Sequence, residues 1–346
     1  TRSCLVSWGS EMCIRDSTYN YWDRRVEQHL TDRNLYRFTA EGPVLLREGT
    51  VRTYIRRYNY ANTFRSSELT ASYRFNVSKL EGSVLAGYSQ EYNKNEYESF
   101  LRYDLIDDSL TSINAASTNG PIAGNYTEWS MRSWFGRLTL NWDDRYLLEA
   151  NFRADGSSKF APEHRWGYFP SVSAGWRLSQ EKFMEPASSW LSNLKLRASY
   201  GSLGNNSTTS YYMYQSLYAA SNYILNGSIA GGFAQTILAN SRLTWEKTNM
   251  TNVGVDFGFF NSRLNGSLEL YSKKTDGILI AIPAPLEHGT STVPDQNAAE
   301  VVNKGLEVDL HWNDRIGKVS YAVGFNLGFV DNKVSRFRGD VASISG

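Results

Sequence analysis

LTASYRFNVSKLEGSVLAGYS, residues 69–89, changes between apolar and polar at most of its steps. Leu69, Ala71, Tyr73, Phe75 and Val77 fall on one parity, and Thr70, Ser72, Arg74 and Asn76 on the other. Ser78 and Lys79 interrupt the run, which resumes with Leu80, Gly82, Val84, Ala86 and Tyr88 against Glu81, Ser83, Gly87 and Ser89. A period of two belongs to a strand whose faces meet different surroundings. Two such runs joined by a short turn predict a β-hairpin.

The same hairpin recurs toward the C-terminus. Leu138, Leu140 and Trp142 alternate with Arg137, Thr139 and Asn141; after a turn at residues 143–145, Tyr146, Leu148, Ala150 and Phe152 alternate with Glu149, Asn151 and Arg153. Val253, Val255, Phe257 and Phe259 are followed by Leu264, Leu268 and Leu270, with Asp256 and Glu269 at opposite parity. Leu306, Val308, Leu310 and Trp312 turn through residues 313–318 into Val319, Tyr321, Val323, Phe325 and Leu327, against Glu307, Asp309, His311, Ser320 and Asn326. Trp176 beside Arg177, and Leu194 and Leu196 beside Lys195 and Arg197, mark two further strands. Residues 34–39 and 51–57 read as strands beside a loop. The expected total is roughly ten to twelve strands of ~10 residues.

The phase assigns environments. So many charges at one parity would cost several kcal/mol each in a packed interior. A wide, water-filled interior removes that cost, so Arg137, Glu149, Arg153, Arg177, Arg197, Asp256, Glu269, Glu307 and Asp309 are expected to face a lumen. Leu140, Leu148, Trp176, Val255, Leu268, Leu310, Val323 and Phe325 are expected to face lipid. The connections are unequal: a few residues at one end, but residues 93–127, 155–168 and 201–243 at the other, as in outer-membrane barrels. No stretch approaches the ~20 apolar residues of a spanning helix, and a mean hydropathy of −0.45 is compatible with alternating barrel strands. The 22 tyrosines, 16 phenylalanines and 10 tryptophans suit an interface with one apolar and one wet side. A net charge of +1 offers no basic footprint for nucleic acid.

Chemistry-bearing motifs are few. There is no nucleophile elbow, zinc signature or phosphate loop, so neither catalysis nor a metal or cofactor is expected. His311 lies near Asp309 and Glu307 at the same parity, which sketches a barrel enzyme but reads better as a solvated lumen residue. His29, His164 and His288 fall in expected loops without partners at ligand spacing. Asp155-Gly156 is expected to turn a strand into a loop, and Phe169-Pro170 to begin a strand where no ladder donor is needed. In the loop that follows, Tyr211, Tyr212, Tyr214, Tyr218 and Tyr223 are candidate substrate contacts, through rings that stack and hydroxyls that hydrogen-bond.

Residues 1–17 stand apart. CLVSWGSEMCIRDS (residues 4–17) holds both cysteines and shows neither alternation nor a helical stripe. It lacks the layout of a signal peptide and resembles the translated product of a sequencing adapter. It is therefore expected to be non-native, with residues 18–346 forming the fold.

Several blocks carry a family resemblance. NFRADGSSKF (residues 151–160), RWGYFPSVSAGWRLSQEKF (165–183), LKLRASYGSLGN (194–205), LTWEKTNMTNVGVDFGFF (243–260) and NKGLEVDL (303–310) occur in this order. Together they resemble the barrel of the SusC/RagA family of TonB-dependent transporters, from about residue 19 onward. The resemblance implies an all-β, antiparallel, up-and-down transmembrane β-barrel, present in part: about half of a plugged barrel of ~22 strands. It implies an outer-membrane protein of a Gram-negative bacterium that imports oligosaccharides or peptides. Its partners would be a SusD-like surface lipoprotein and, through a plug domain outside this chain, TonB. Residues 339–346 read as the start of a loop, so the closing strands are expected outside the chain too. A passive porin or adhesin barrel and a soluble glycan-binding β protein are the competing expectations.

Overall fold

The computed structural model describes residues 2–4, 11–31, 35–47, 52–208, 210–282 and 294–337. In chain order the strands are β1 (Arg2–Cys4), β2 (Glu11–Leu30), β3 (Leu35–Thr39), β4 (Gly42–Arg47), β5 (Tyr54–Val77), β6 (Leu80–Leu105), β7 (Ala116–Trp142) and β8 (Tyr146–Ser157). They continue as β9 (Trp166–Arg177), β10 (Leu191–Asn205), β11 (Leu217–Leu225), β12 (Ser228–Ile237), β13 (Glu246–Phe259), β14 (Leu264–Ala281), β15 (Asp295–Ile316) and β16 (Val319–Phe337).

Twelve of them form one sheet in the order β1-β2-β5-β6-β7-β8-β9-β10-β13-β14-β15-β16, while β3–β4 and β11–β12 are separate hairpins. Every neighbour in the sheet is thus the next sheet strand along the chain, the up-and-down pattern of a barrel wall. The chain divides into two units, residues 1–16, 67–90 and 130–346, and residues 17–66 and 91–129.

Turn chemistry explains the short connections. Ser78, Asp143, Asp144, Phe260, Asn261, Ser262 and Gly317 all have positive φ, as tight hairpin connections require. The turns are tied to their neighbours: the Asp143 amide donates to the Lys79 carbonyl at 2.8 Å, and the amide of Asn313 in β15 to the Arg263 carbonyl at 2.7 Å. The turn after β15 is tighter than the expected residues 313–318, because the ladder runs to Ile316↔Val319. The β9–β10 connection is the long one at this end, with 3-10 turns at Leu178–Gln180 and Lys182–Ala187.

The register sorts side chains cleanly. One row runs Leu140↔Leu148↔Ala174↔Ala198↔Val253↔Leu270↔Leu306↔Phe329 across eight strands. Two residues along lie Tyr146↔Trp176↔Leu196↔Val255↔Leu268↔Val308↔Leu327. Leu310, Val323 and Phe325 share the parity of these rows, so all eight residues expected to face lipid lie on one face. The nine expected lumen residues lie on the other, in rows such as Arg197↔Gly254↔Glu269↔Glu307.

Five readings of the sequence need correction. The strands are longer than ~10 residues, β5, β6 and β7 having 24, 26 and 27. Most of the expected loop 93–127 is therefore strand, with only residues 106–115 connecting β6 to β7. Beyond the apolar belt these strands have no greasy face to display, so the hydrophobic alternation fades while the ladder continues. Asp155-Gly156 stays within β8, and Pro170 lies inside β9 opposite Phe152, one residue past the last β9–β10 pair at Gly201↔Ser171. Pro170 is tolerated inside β9 because one flank of the strand has run out of ladder there. His29 lies in β2 rather than a loop. Residues 339–346 and His288 fall outside the described residues. Within residues 1–17, Arg2–Cys4 pairs with Cys13–Arg15 and β2 begins at Glu11.

Candidate functional site

The polar face is a wall of paired charges. Arg197 donates from Nε to Asp256 at 3.0 Å and from its terminal nitrogen to Glu269 at 2.6 Å, so one guanidinium joins three strands. Lys195 Nζ lies 3.7 Å from the same Asp256. Arg137 donates to Asn151 at 2.8 Å, and Asn151 to Glu149 at 2.9 Å. His311 Nε2 is 2.7 Å from Asp309. Arg177 instead reaches back to Asp144 in the neighbouring turn, at 3.5 Å. These groups are partly exposed, so the face stays hydrated while its charges cancel in pairs. A hollow of about 370 Å³ lies among Thr139, Glu149, Ser173, Lys195, Arg197 and Asn252.

Toward the long-loop end the wall carries a small core. Phe160, Phe169, Met213, Leu243 and Trp245 form a buried cluster, with Met131 and Leu279 packed against it. The Trp245 ring meets Phe160 and Phe169 at 5.5 and 5.4 Å between centroids, and its Nε1 donates to the Arg165 carbonyl at 2.9 Å. Asn297 accepts from the Thr244 amide and donates to the Thr244 and Gly277 carbonyls at 2.8 and 2.9 Å. Asn240 donates to the Asp295 carbonyl at 2.9 Å.

The NFRADGSSKF block belongs to this knot. Arg153 Nε donates to both oxygens of buried Asp155, at 2.7 and 2.8 Å. Ser157 Oγ accepts from Asn206 at 3.1 Å, and Ser158 Oγ from the Ser130 amide at 2.9 Å. Lys159 donates to the Asn206 carbonyl at 3.3 Å, and burial pushes its ammonium below the usual lysine range. The block thus fastens three connections to the wall. Within the strand, the ion pair joins buried Asp155 to a half-exposed Arg153.

The five loop tyrosines do not converge. Tyr211 lies under Lys159 at 5.0 Å, and Tyr212 meets Tyr214 edge-on at 6.2 Å. Tyr218 and Tyr223 are on β11 at opposite parity, on opposite faces of the hairpin, and both are exposed. A different set does gather: Tyr58, Tyr60 and Tyr97, with centroids 5.2–6.2 Å apart. The sequence reading passed over them, because residues 93–127 were taken for a loop and the strand read at residues 51–57 stopped short of Tyr58. The signal was there in Tyr-x-Arg-x-Tyr-x-Tyr-x-Asn at residues 54–62, a period of two written in aromatic and amide residues.

No arrangement for bond chemistry emerges around His311, which bonds Asp309 and faces open space at 55% side-chain exposure. His164 ends a 3-10 turn. Among the described residues no group of three His, Cys, Asp or Glu could hold a metal ion.

The apolar face ends in aromatics toward the short turns. Trp142, Tyr146 and Trp176 are exposed there, and Tyr146 stacks on Trp176 at 6.2 Å. The Tyr146 hydroxyl and Trp176 Nε1 both donate to one oxygen of Glu181, at 2.7 and 3.0 Å. Trp134, Phe152 and Tyr168 crown the same face near the long loops. Eight residues, about 27 Å at ~3.4 Å per residue, separate Tyr146 from Ala154, the register partner of Trp134 and Tyr168.

A family model described as "TonB dependent receptor-like, beta-barrel" matches residues 7–344. The TonB-dependent receptor SusC of Bacteroides thetaiotaomicron is 28% identical over 316 residues, 84% of this chain and 30% of that protein. TonB-dependent receptor P26 of Formosa agariphila is 32% identical over 287 residues, 80% of this chain and 28% of that protein. The chain therefore spans under a third of the length of these relatives. A solved structure of the RagAB peptide importer in its closed-closed state matches with a TM-score of 0.83, over 97% of this chain and 36% of that one. At 22% identity, that is a likeness of fold.

Proposed function

Because this chain belongs to the TonB-dependent receptor-like β-barrel family, we propose that it supplies part of the wall of an outer-membrane importer. The observation that supports this most is the two-faced register. Leu268, Leu270, Val253, Val323, Phe325 and Phe329 are all at least 40% exposed on a single face. A continuous apolar field of that kind far exceeds what a soluble monomer leaves in water, and aromatics bound it above and below as in membrane barrels. On this reading the apolar face meets lipid, and the paired charges from Arg137 to Asp309 line a watery lumen. The short turns are periplasmic, and the long connections with their buried knot are extracellular.

The cargo is an oligosaccharide or a peptide, taken up by binding and gating rather than by bond chemistry. A SusD-like lipoprotein is the surface partner, and TonB supplies energy through the plug domain of the whole transporter. Tyr218 and Tyr223, the accessible members of the loop set, are offered as early contacts for cargo.

Spin labels test the orientation. In a cysteine-free form of the complete protein, Leu268→Cys and Glu269→Cys are labelled and reconstituted in lipid. The label at 268 is expected to collide with dissolved oxygen, and that at 269 with a water-soluble nickel chelate. Equal access at both positions would remove the barrel reading. Uptake that persists without TonB would leave a passive barrel.

A further inference from the structure

Strands β5 and β6 carry, within the second unit, a surface unlike the charged wall. At alternate positions β5 presents Tyr54, Arg56, Tyr58, Tyr60 and Asn62, and β6 presents Asn93, Asn95 and Tyr97. Their contacts place them on one face. Tyr60 and Tyr97 have centroids 5.2 Å apart, and Tyr58 lies 6.2 Å from each. Tyr58 and Tyr60 are within 21° of parallel.

Beside the rings runs a chain of amides. Asn62 Nδ2 donates to Asn95 Oδ1 at 2.6 Å, and Asn95 Nδ2 to Asn93 Oδ1 at 2.9 Å. An amide holds both a donor group and an acceptor, so this chain presents the Asn62 acceptor at one end and the Asn93 donor at the other. Arg56 is turned onto its own neighbours, donating to the Tyr58 hydroxyl at 2.9 Å. The ion pairs Arg57–Glu27 and Lys94–Glu96 occupy the alternate positions, on the other face.

We propose that this tyrosine–asparagine face is a binding platform for an uncharged oligosaccharide. The proposal rests on the importer reading above and narrows its cargo. A pyranose ring has an apolar side of C–H bonds and an edge of hydroxyls, each able to donate and accept. Tyrosine rings match the first and a donor–acceptor amide row matches the second. Arg56 is the one charged group among the eight residues named, so the surface is built chiefly of neutral groups. From Tyr54 to Tyr60 the strand runs about 20 Å, enough for an oligomer rather than one ring. Because the groups stand on ladder-bonded strands, they are ordered before any ligand arrives.

The test uses the full-length protein purified in detergent and a panel of neutral hexaoses: malto-, laminari-, xylo- and mannohexaose. A capped neutral hexapeptide library is run beside it. Heat-modifiable gel mobility verifies that each variant is folded. Tyr60→Ala/Tyr97→Ala is expected to weaken hexaose binding by about tenfold or more, the order of one lost aromatic stack. Tyr60→Phe/Tyr97→Phe, which keeps the rings, should stay within about threefold. Undiminished hexaose affinity in the folded alanine pair overturns the platform while leaving the importer standing. Binding of peptides alone, or of no hexaose, overturns the ligand class. TonB-dependent uptake, measured separately, decides the importer reading itself.

Discussion

Phe169 shows how single residues hold the long-loop end together. Its ring rests where a side chain at Gly204 or Gly167 would otherwise stand, and it completes the cluster around Trp245. The glycines are thus a seat for the ring, the sheet counterpart of aromatic rescue. Gly204→Ala is expected to unseat Phe169 and cost about 1–3 kcal/mol, seen as a lower unfolding midpoint in urea. Leu243→Ala should cost more, about 2–5 kcal/mol, because the side chain is wholly enclosed and leaves a cavity. Neither residue stood out from the sequence. Leu243 and Trp245 open a block with recognisable alternation, but nothing local announces that a loop folds back to bury them. Asp155 was visible as a motif and misread as a turn, because Asp-Gly usually is one; ladder pairing of Asp155 with Ser133 on one side and Gly167 on the other overrode that preference.

Elements were legible wherever they have two unlike faces. Turns at residues 78–79, 143–145 and 260–263 fall where the alternation pauses, and the hairpin β11–β12 closes on Asn226-Gly227, both at positive φ. The extensions of β5, β6 and β7 were not legible as strands, since polar residues on both sides erase the hydrophobic signal. The β9–β10 connection is the element where a pH response is expected. The Tyr146 hydroxyl, then Trp176 Nε1, hydrogen-bond Glu181 and hold its carboxyl below the usual carboxylate range, with Arg145 adding attraction. A carboxyl with a depressed native pKa stabilises the fold above its unfolded pKa and loses that contribution as pH falls through the native one. Glu181→Gln is expected to flatten the acid side of the stability curve, measured as unfolding midpoints from neutral to acid pH. An unchanged slope would mean that Glu181 is ionised alike in both states.

For the molecule as a whole, the phase of alternation held across eight consecutive strands, which is why both faces could be listed from sequence. Which loops the knot gathers could not be listed, because they meet through contacts between residues 80 positions apart, such as Trp245 and Arg165. If the apolar face meets lipid, Val172→Arg, opposite Ala150 and near mid-belt, should cost about 2–4 kcal/mol in lipid vesicles, and Ser173→Arg on the opposite face little. Equal costs by urea titration would contradict the assignment. The plain neighbour-to-neighbour order of the sheet also bears on descent. Losing a single strand would send every later strand the opposite way through the membrane, exchanging short turns for long loops. Losing a whole hairpin leaves direction and facing intact. Lineages built on this meander therefore keep its direction and facing when strands are gained or lost in pairs.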